Sequence, residues 1–202
     1  MRPLLIALFA ISLLPAAPAS AAAQSAEALV KQTTEQMLAA LHANHDVIAK
    51  HPDRIYGLVD KIVLPHFDFE GMARGVLGIY WRRASAAQRQ RFVKEFRTLL
   101  VRTYASSLAQ YDDQKVEYLP VRPSGDPNEV TIRTQIQQKS GFPVPVDYDL
   151  ERQDGEWKVI GVTIDNLNLV TNYRSSFGVE IRQQGIDGLI NKLAERNKQA
   201  GQ

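Results

Sequence analysis

Two groupings in the chain bring together side chains that could do chemistry. His42-x-x-His45-Asp46, with His51 shortly after, spaces imidazole and carboxylate groups about one helical turn apart, and zinc can be held that way. The run lacks the Glu of an H-E-x-x-H helix, and the wet face of an amphipathic helix accounts for it, so no metal is expected. His66-x-Asp68 could pair a base with its orienting carboxylate. Asp68, however, stands just before a helical run, where a carboxylate caps free backbone amides. There is no G-x-S-x-G turn to expose a serine nucleophile, no glycine loop to cradle phosphate, and no cysteine for thiol chemistry. The motifs indicate no enzyme and no cofactor.

The elements around these residues follow from hydrophobic period. Over 26–48 the residues Leu29, Val30, Thr33, Met37, Leu38 and Leu41 recur at helical spacing and predict one amphipathic helix. Pro52 suits the first turn of a second, which Leu64-Pro65 should end. Asp68 predicts an N-cap for a short helix to Val76, followed by a glycine-punctuated aromatic turn over Leu77-Gly78-Ile79-Tyr80-Trp81. Ser85 and Gln88 have the form of a capping box. They open a long helix to Tyr111 with Phe92, Phe96, Leu99, Leu100, Tyr104 and Leu108 on one stripe.

Beyond Tyr111 the period becomes twofold. Val130, Ile132, Thr134 and Ile136 alternate with polar residues; Val144, Val146, Tyr148 and Leu150 alternate with Pro143, Pro145, Asp147 and Asp149. Ile160, Val162 and Ile164 alternate with Val159, Gly161 and Thr163, which are read as facing outward. Such alternation marks an antiparallel sheet covered on one face. Val116 to Val121 predicts a further strand, with a turn at Ser124-Gly125-Asp126-Pro127, and Asp154-Gly155 predicts a hairpin. Pro143 and Pro145 cannot donate to a ladder, so their strand is expected to begin at an edge. From Leu169 the pattern is helical again, broken at Gly185. Helices, a strand meander, then helices make the class α+β.

The chain starts with Arg2, an apolar run to Leu14 and small residues ending in Ala21-Ala22-Ala23. These are the three parts of a secretory signal peptide cleaved near Ala23; the apolar run is too short to span a bilayer. Residues 24–202 are then expected as one exported domain, its helical parts 24–111 and 168–196 packed on a strand part 112–167. Without cysteine, an exported chain must rely on its packed core rather than disulfides. Removing the leader leaves one excess positive charge, which argues against a general nucleic-acid binder. Yet seven of the basic residues fall between Arg82 and Arg102 beside the single acid Glu95, a face suited to an acidic partner or membrane surface.

Several of these residues carry a resemblance. Pro65-His66-Phe67-Asp68-Phe69, Met72-Ala73-Arg74, Leu77-Gly78, Trp81-Arg82 and Gln88-Arg89 through Phe92 and Phe96 resemble the MlaC family, also called toluene-tolerance auxiliary proteins. Asn172-Tyr173-Arg174-Ser175-x-Phe177 and Gly185-x-x-x-Leu189-Ile190 are similar to the same family. The resemblance implies a periplasmic phospholipid carrier. Its partners would be an inner-membrane ABC transporter with a substrate-binding ring and an outer-membrane lipoprotein–porin complex. The implied fold is a curved antiparallel sheet of four to five strands, nuclear-transport-factor-2-like, wrapped by helices around a deep apolar cavity, and no catalytic residue is carried over.

With that role in view, the one-sided strands supply the expected lipid-binding wall. Val130, Ile132, Ile136 and Val144 form one part of it, and Val146, Tyr148 and Leu150 another. Ile160, Val162 and Ile164 complete the strands, while Leu100, Tyr104, Leu108, Tyr173 and Phe177 face them from the helices. Arg82, Arg89, Lys94 and Arg97 are the expected partner-docking residues. Two other readings remain: an exported enzyme of the same cone-shaped architecture acting on a small hydrophobic compound, and a ligand-free periplasmic adaptor. The first needs an ionisable group inside the cavity; the second predicts a filled core.

Overall fold

The computed structural model of the chain describes residues 18–109, 114–121 and 125–199. The apolar part of the expected leader, Tyr111 and Ser124 lie outside the described residues. Six helices come first: α1 (Pro18–Ala43), α2 (His45–Lys50), α3 (Arg54–Ile62), α4 (Phe69–Leu77), α5 (Ile79–Arg83) and α6 (Ala86–Ala109). Five strands follow: β1 (Val116–Tyr118), β2 (Glu129–Ile136), β3 (Val144–Gln153), β4 (Glu156–Ile164) and β5 (Leu167–Asn168), and then α7 (Leu169–Gln199). The strands pair antiparallel in chain order, so the protein is α+β with an open five-stranded sheet. Among the described residues no helix is long and apolar enough to cross a membrane.

Local chemistry sets most boundaries where the sequence places them. Asp68 caps α4, its Oδ1 accepting the Gly71 amide at 2.8 Å. Ser85 and Gln88 form the reciprocal capping box of α6: the Ser85 amide donates to Gln88 Oε1 at 2.9 Å and the Gln88 amide to Ser85 Oγ at 3.2 Å. Asp154 and Gly155 both take positive φ, 50° and 88°, as a primed hairpin turn requires. Gly185, at φ 73°, kinks α7.

Two expectations are corrected. The single helix over 26–48 is two, because the Asn44 side chain donates to the Ala40 carbonyl at 2.7 Å and competes with the helical backbone there. The aromatic turn after Leu77 holds the short helix α5, entered through Gly78 at φ 54°. β5, within the four to five strands expected, is joined to β4 by Asp165 and Asn166 at positive φ. β3 lies between β2 and β4, but its start at Val144 and Pro145 pairs with β2, and the pairing with β4 begins only at Val146. Pro145 is tolerated inside the sheet because its carbonyl accepts the Asp165 amide at 2.9 Å. Its nitrogen therefore faces the same side, where β4 has already ended at Ile164.

Helices α4, α6 and α7 bury their apolar faces on the sheet in one core containing Met72, Phe92, Phe96, Ile132, Leu150 and Ile190. A smaller cluster of Met37, Leu41, Ile48, Ile55, Val59, Leu64 and Ala105 joins α1, α2 and α3 to α6. The segment before α4 stitches helices to sheet. The Asp68 amide donates to the Val159 carbonyl at 3.0 Å, Gln153 Nε2 donates to Asp68 Oδ2 at 2.9 Å, and Lys158 Nζ donates to the Pro65 carbonyl at 3.2 Å. We expect Asp68→Ala, which loses the cap and the Gln153 bond together, to cost about 2 kcal/mol. Asp68→Asn keeps a capping oxygen and should lose less than about 1 kcal/mol; urea unfolding of the three proteins measures both.

Candidate functional site

Between the two clusters a space remains. Its volume is about 170 Å³, slightly more than an engineered apolar cavity that admits benzene. Helix α1 supplies Leu29, Val30, Thr33, Thr34, Met37 and Leu38; the sheet supplies Val116, Thr134, Ile136, Tyr148 and Val159. Val63, His66 and Phe67 close it beside α4, and Leu108 of α6 completes it. The wall is mainly apolar, and it contains a compact set of hydroxyls.

Of the residues read from sequence as the lipid-binding wall, Ile136, Tyr148 and Leu108 line this pocket. Val130, Ile132, Val146, Leu150 and Val162 are buried in the main core, with Val144 and Ile164 packed against it. Leu100, Tyr173 and Phe177 belong to that core as well. There Phe96 meets Tyr173 and Phe177 edge-on, with centroids 5.5 and 6.3 Å apart. Tyr104 sits at the rim of this aromatic group, hydrogen-bonded to Tyr173. Burial, then the neighbouring Tyr173, push its pKa up to about 12.

Ile160 takes a different place from the one its alternation suggests. Across β3 and β4, Asp149 pairs with Gly161 but Leu150 pairs with Val159, so Ile160 is the extra residue of a bulge. The bulge shifts the phase: Trp157 and Val159 are buried on one side of it and Val162 on the other. Val159, read as outward-facing, therefore lines the pocket, while Ile160 is half-buried. Thr134, which stands in the apolar row of β2 but not in the expected wall, is 2% exposed and donates to the Val146 carbonyl at 2.7 Å. The contribution of α1 was signalled by its apolar stripe, in which Thr33 already stood.

The residues capable of chemistry are mostly occupied elsewhere. Both carboxylate oxygens of Asp68 accept hydrogen bonds, from Gly71 and Gln153, so Asp68 acts as a cap and brace. His66 lines the pocket; burial, then Lys158, hold its pKa below the ordinary value, against a smaller opposing effect of Glu156. His45 pairs with Asp46 at 3.2 Å in solvent, on α2, beyond the break that separates it from His42.

The basic face is divided as well. Arg89 donates from Nε to the Trp81 carbonyl at 2.9 Å and lies 5.2 Å from that ring's centre. Arg97 pairs with Asp60 at 2.7 Å. Arg82 and Lys94 are exposed.

A one-sided antiparallel sheet, wrapped by helices over an apolar internal pocket, is the architecture of a module that holds an apolar ligand. The chain belongs to the MlaC protein family, whose model matches residues 31–195. It is 29% identical to the toluene tolerance protein ttg2D of Pseudomonas putida, over 98% of this chain and 93% of that one. It is also 29% identical to the intermembrane phospholipid transport system binding protein MlaC of Haemophilus influenzae, over 85% and 81% of the two chains. A solved phospholipid-binding protein from Ralstonia solanacearum, in complex with a phospholipid, superposes with a TM-score of 0.80 at 32% identity, covering 87% of this chain and 98% of that one.

Tyr148 offers a measurable signature of the pocket's low polarity. Burial, with a smaller contribution from nearby Tyr118, pushes its pKa up to about 12 from an ordinary value of 10. Between pH 10 and 12 the unfolded chain has released a proton that the folded protein retains, so stability falls as pH rises through this window. Below pH 10 both states are protonated and the contribution is fully present. Tyr148→Phe should flatten that fall by an amount on the order of 2 kcal/mol, read from unfolding curves at pH 9, 10, 11 and 12.

Proposed function

We propose that this protein is an exported, periplasmic phospholipid carrier. It would lose its leader near Ala23 and move lipid between an outer-membrane lipoprotein–porin complex and an inner-membrane ABC transporter, maintaining outer-membrane lipid asymmetry. It performs no chemistry on its cargo. The observation that carries this reading is the apolar pocket between α1 and the sheet, in a chain of the MlaC family whose Ralstonia relative was solved with a phospholipid bound.

The energetics define what such a carrier must do. Each acyl methylene withdrawn from water is worth about 0.8 kcal/mol, so two tails of about 15 methylenes carry roughly 24 kcal/mol of gross exposure cost. A space of about 170 Å³ shelters part of one tail, well below the roughly 300–1,000 Å³ of a pocket for a drug-sized ligand. Loading therefore widens the seam between the two hydrophobic clusters, where α1 meets the sheet.

Trp substitutions at the pocket test this. Ile132 and Val146 lie in the closed core, where added volume would strain the fold. Ile136 and Leu38 line the space itself. Ile136→Trp should keep the fold and reduce uptake of labelled phospholipid from vesicles at least severalfold; uptake equal to wild type in a folded variant would refute this site. For docking, Arg82 and Lys94 are better probes than Arg89, which supports Trp81. Arg82→Glu with Lys94→Glu should slow lipid delivery to the inner-membrane complex while leaving vesicle loading intact; an unchanged delivery rate would remove these two residues from the interface.

A further inference from the structure

Four hydroxyl side chains lie on the pocket wall: Thr33 and Thr34 from α1, Thr134 from β2 and Tyr148 from β3. A fifth, Tyr118 of β1, stands opposite Thr134 in the strand register and has the Thr34 side chain beside its own hydroxyl. Thr134 is committed to the Val146 carbonyl. Tyr118 is not committed: its oxygen is buried with no partner in hydrogen-bonding geometry. A buried hydroxyl left that way is destabilising relative to phenylalanine, and folded proteins retain few of them.

The chemistry of the wall narrows what the hydroxyls would hold. The lining residues include no Lys or Arg, and burial, then Lys158, lower the pKa of the lining His66, which favours its neutral form. Burial raises the pKa of Tyr118, and that of Tyr148 to about 12, so both phenols keep their protons and remain donors. Neutral donors without a facing cation suit a neutral acceptor; a carboxylate there would be desolvated without a counter-charge.

We propose that Thr34 and Tyr148 donate hydrogen bonds to an ester carbonyl of the bound acyl lipid, with Tyr118 as a positioning residue behind Thr34. On loading, Tyr118 turns to donate to the neighbouring Thr34 Oγ1, and the Thr34 proton is directed into the pocket. The site then distinguishes ester-linked chains from chains lacking a carbonyl. This rests on the carrier reading above and adds to it the linkage chemistry of the ligand.

The test loads the full mature protein from vesicles holding equal amounts of diester and diether phosphatidylglycerol, with and without palmitate, and extracts what it has bound. Wild type should favour the diester about tenfold, the value of one to two neutral hydrogen bonds. Tyr148→Phe and Tyr118→Phe should each bring that ratio several-fold closer to one by lowering uptake of the diester. Tyr118→Phe should lose no thermal stability, since the oxygen it removes has no partner in the ligand-free fold. Equal loading of diester and diether by wild type, a ratio unchanged in both variants, or a preference for palmitate would overturn the proposal while leaving the carrier reading intact. Failure of wild type to load either phospholipid would overturn the carrier reading itself.

Discussion

A meander of antiparallel strands with one apolar face has to be covered, and the shape of this protein follows from how that covering is divided. Helices α4, α6 and α7 close over one part of the face with complementary packing, centred on Phe92, Phe96, Tyr173 and Phe177. Helix α1 covers the other part: its Ala26 and Val30 join the main core, and its Met37 and Leu41 anchor it through a second cluster with α2 and α3. Two covers meeting over one sheet leave a seam, and the pocket lies along it. An interior packed to ordinary protein density leaves few voids; the pocket is found where the two covers meet.

Most of the residues that identify the family hold this arrangement together from outside the pocket. Asp68 caps α4 and accepts a bond from Gln153 while its amide pairs with Val159 of β4. Arg174 of α7 donates from Nε to the Gly75 carbonyl at the end of α4, at 2.7 Å. Gln88 of α6 reaches Asp187 of α7 at 2.9 Å, and Asn197 of α7 donates to the Glu95 carbonyl at the same distance. His66 and Phe67 are the exceptions, since they sit in the same stitching segment and also line the space. Recognisable motifs here describe the frame, and the pocket surface consists largely of apolar side chains that leave no motif.

That division explains how much the sequence revealed. Local signals with a fixed geometry, such as Ser85 with Gln88, Asp154-Gly155 and Gly185, were legible because neighbouring residues alone determine them. Tertiary decisions were not. Asn44 reads as one more polar residue on a helix until its side chain is seen to take the Ala40 carbonyl. Pro145 argues for an edge strand unless the end of β4 beside it is known. Above all, the bulge at Ile160 reverses the phase of half of β4, which hid Val159 from a strict period-two reading. The expected wall was spread over the whole length of the sheet, whereas the pocket takes from it only Ile136, Tyr148 and Leu108.

The central claim is that this seam carries an acyl lipid, and native mass spectrometry of the intact mature protein tests it most directly. The account predicts a species heavier than the polypeptide by the mass of a phospholipid, with the added mass lost on organic extraction and restored by incubation with vesicles. A protein that flies at its polypeptide mass under gentle conditions, and stays there after exposure to vesicles, would contradict it.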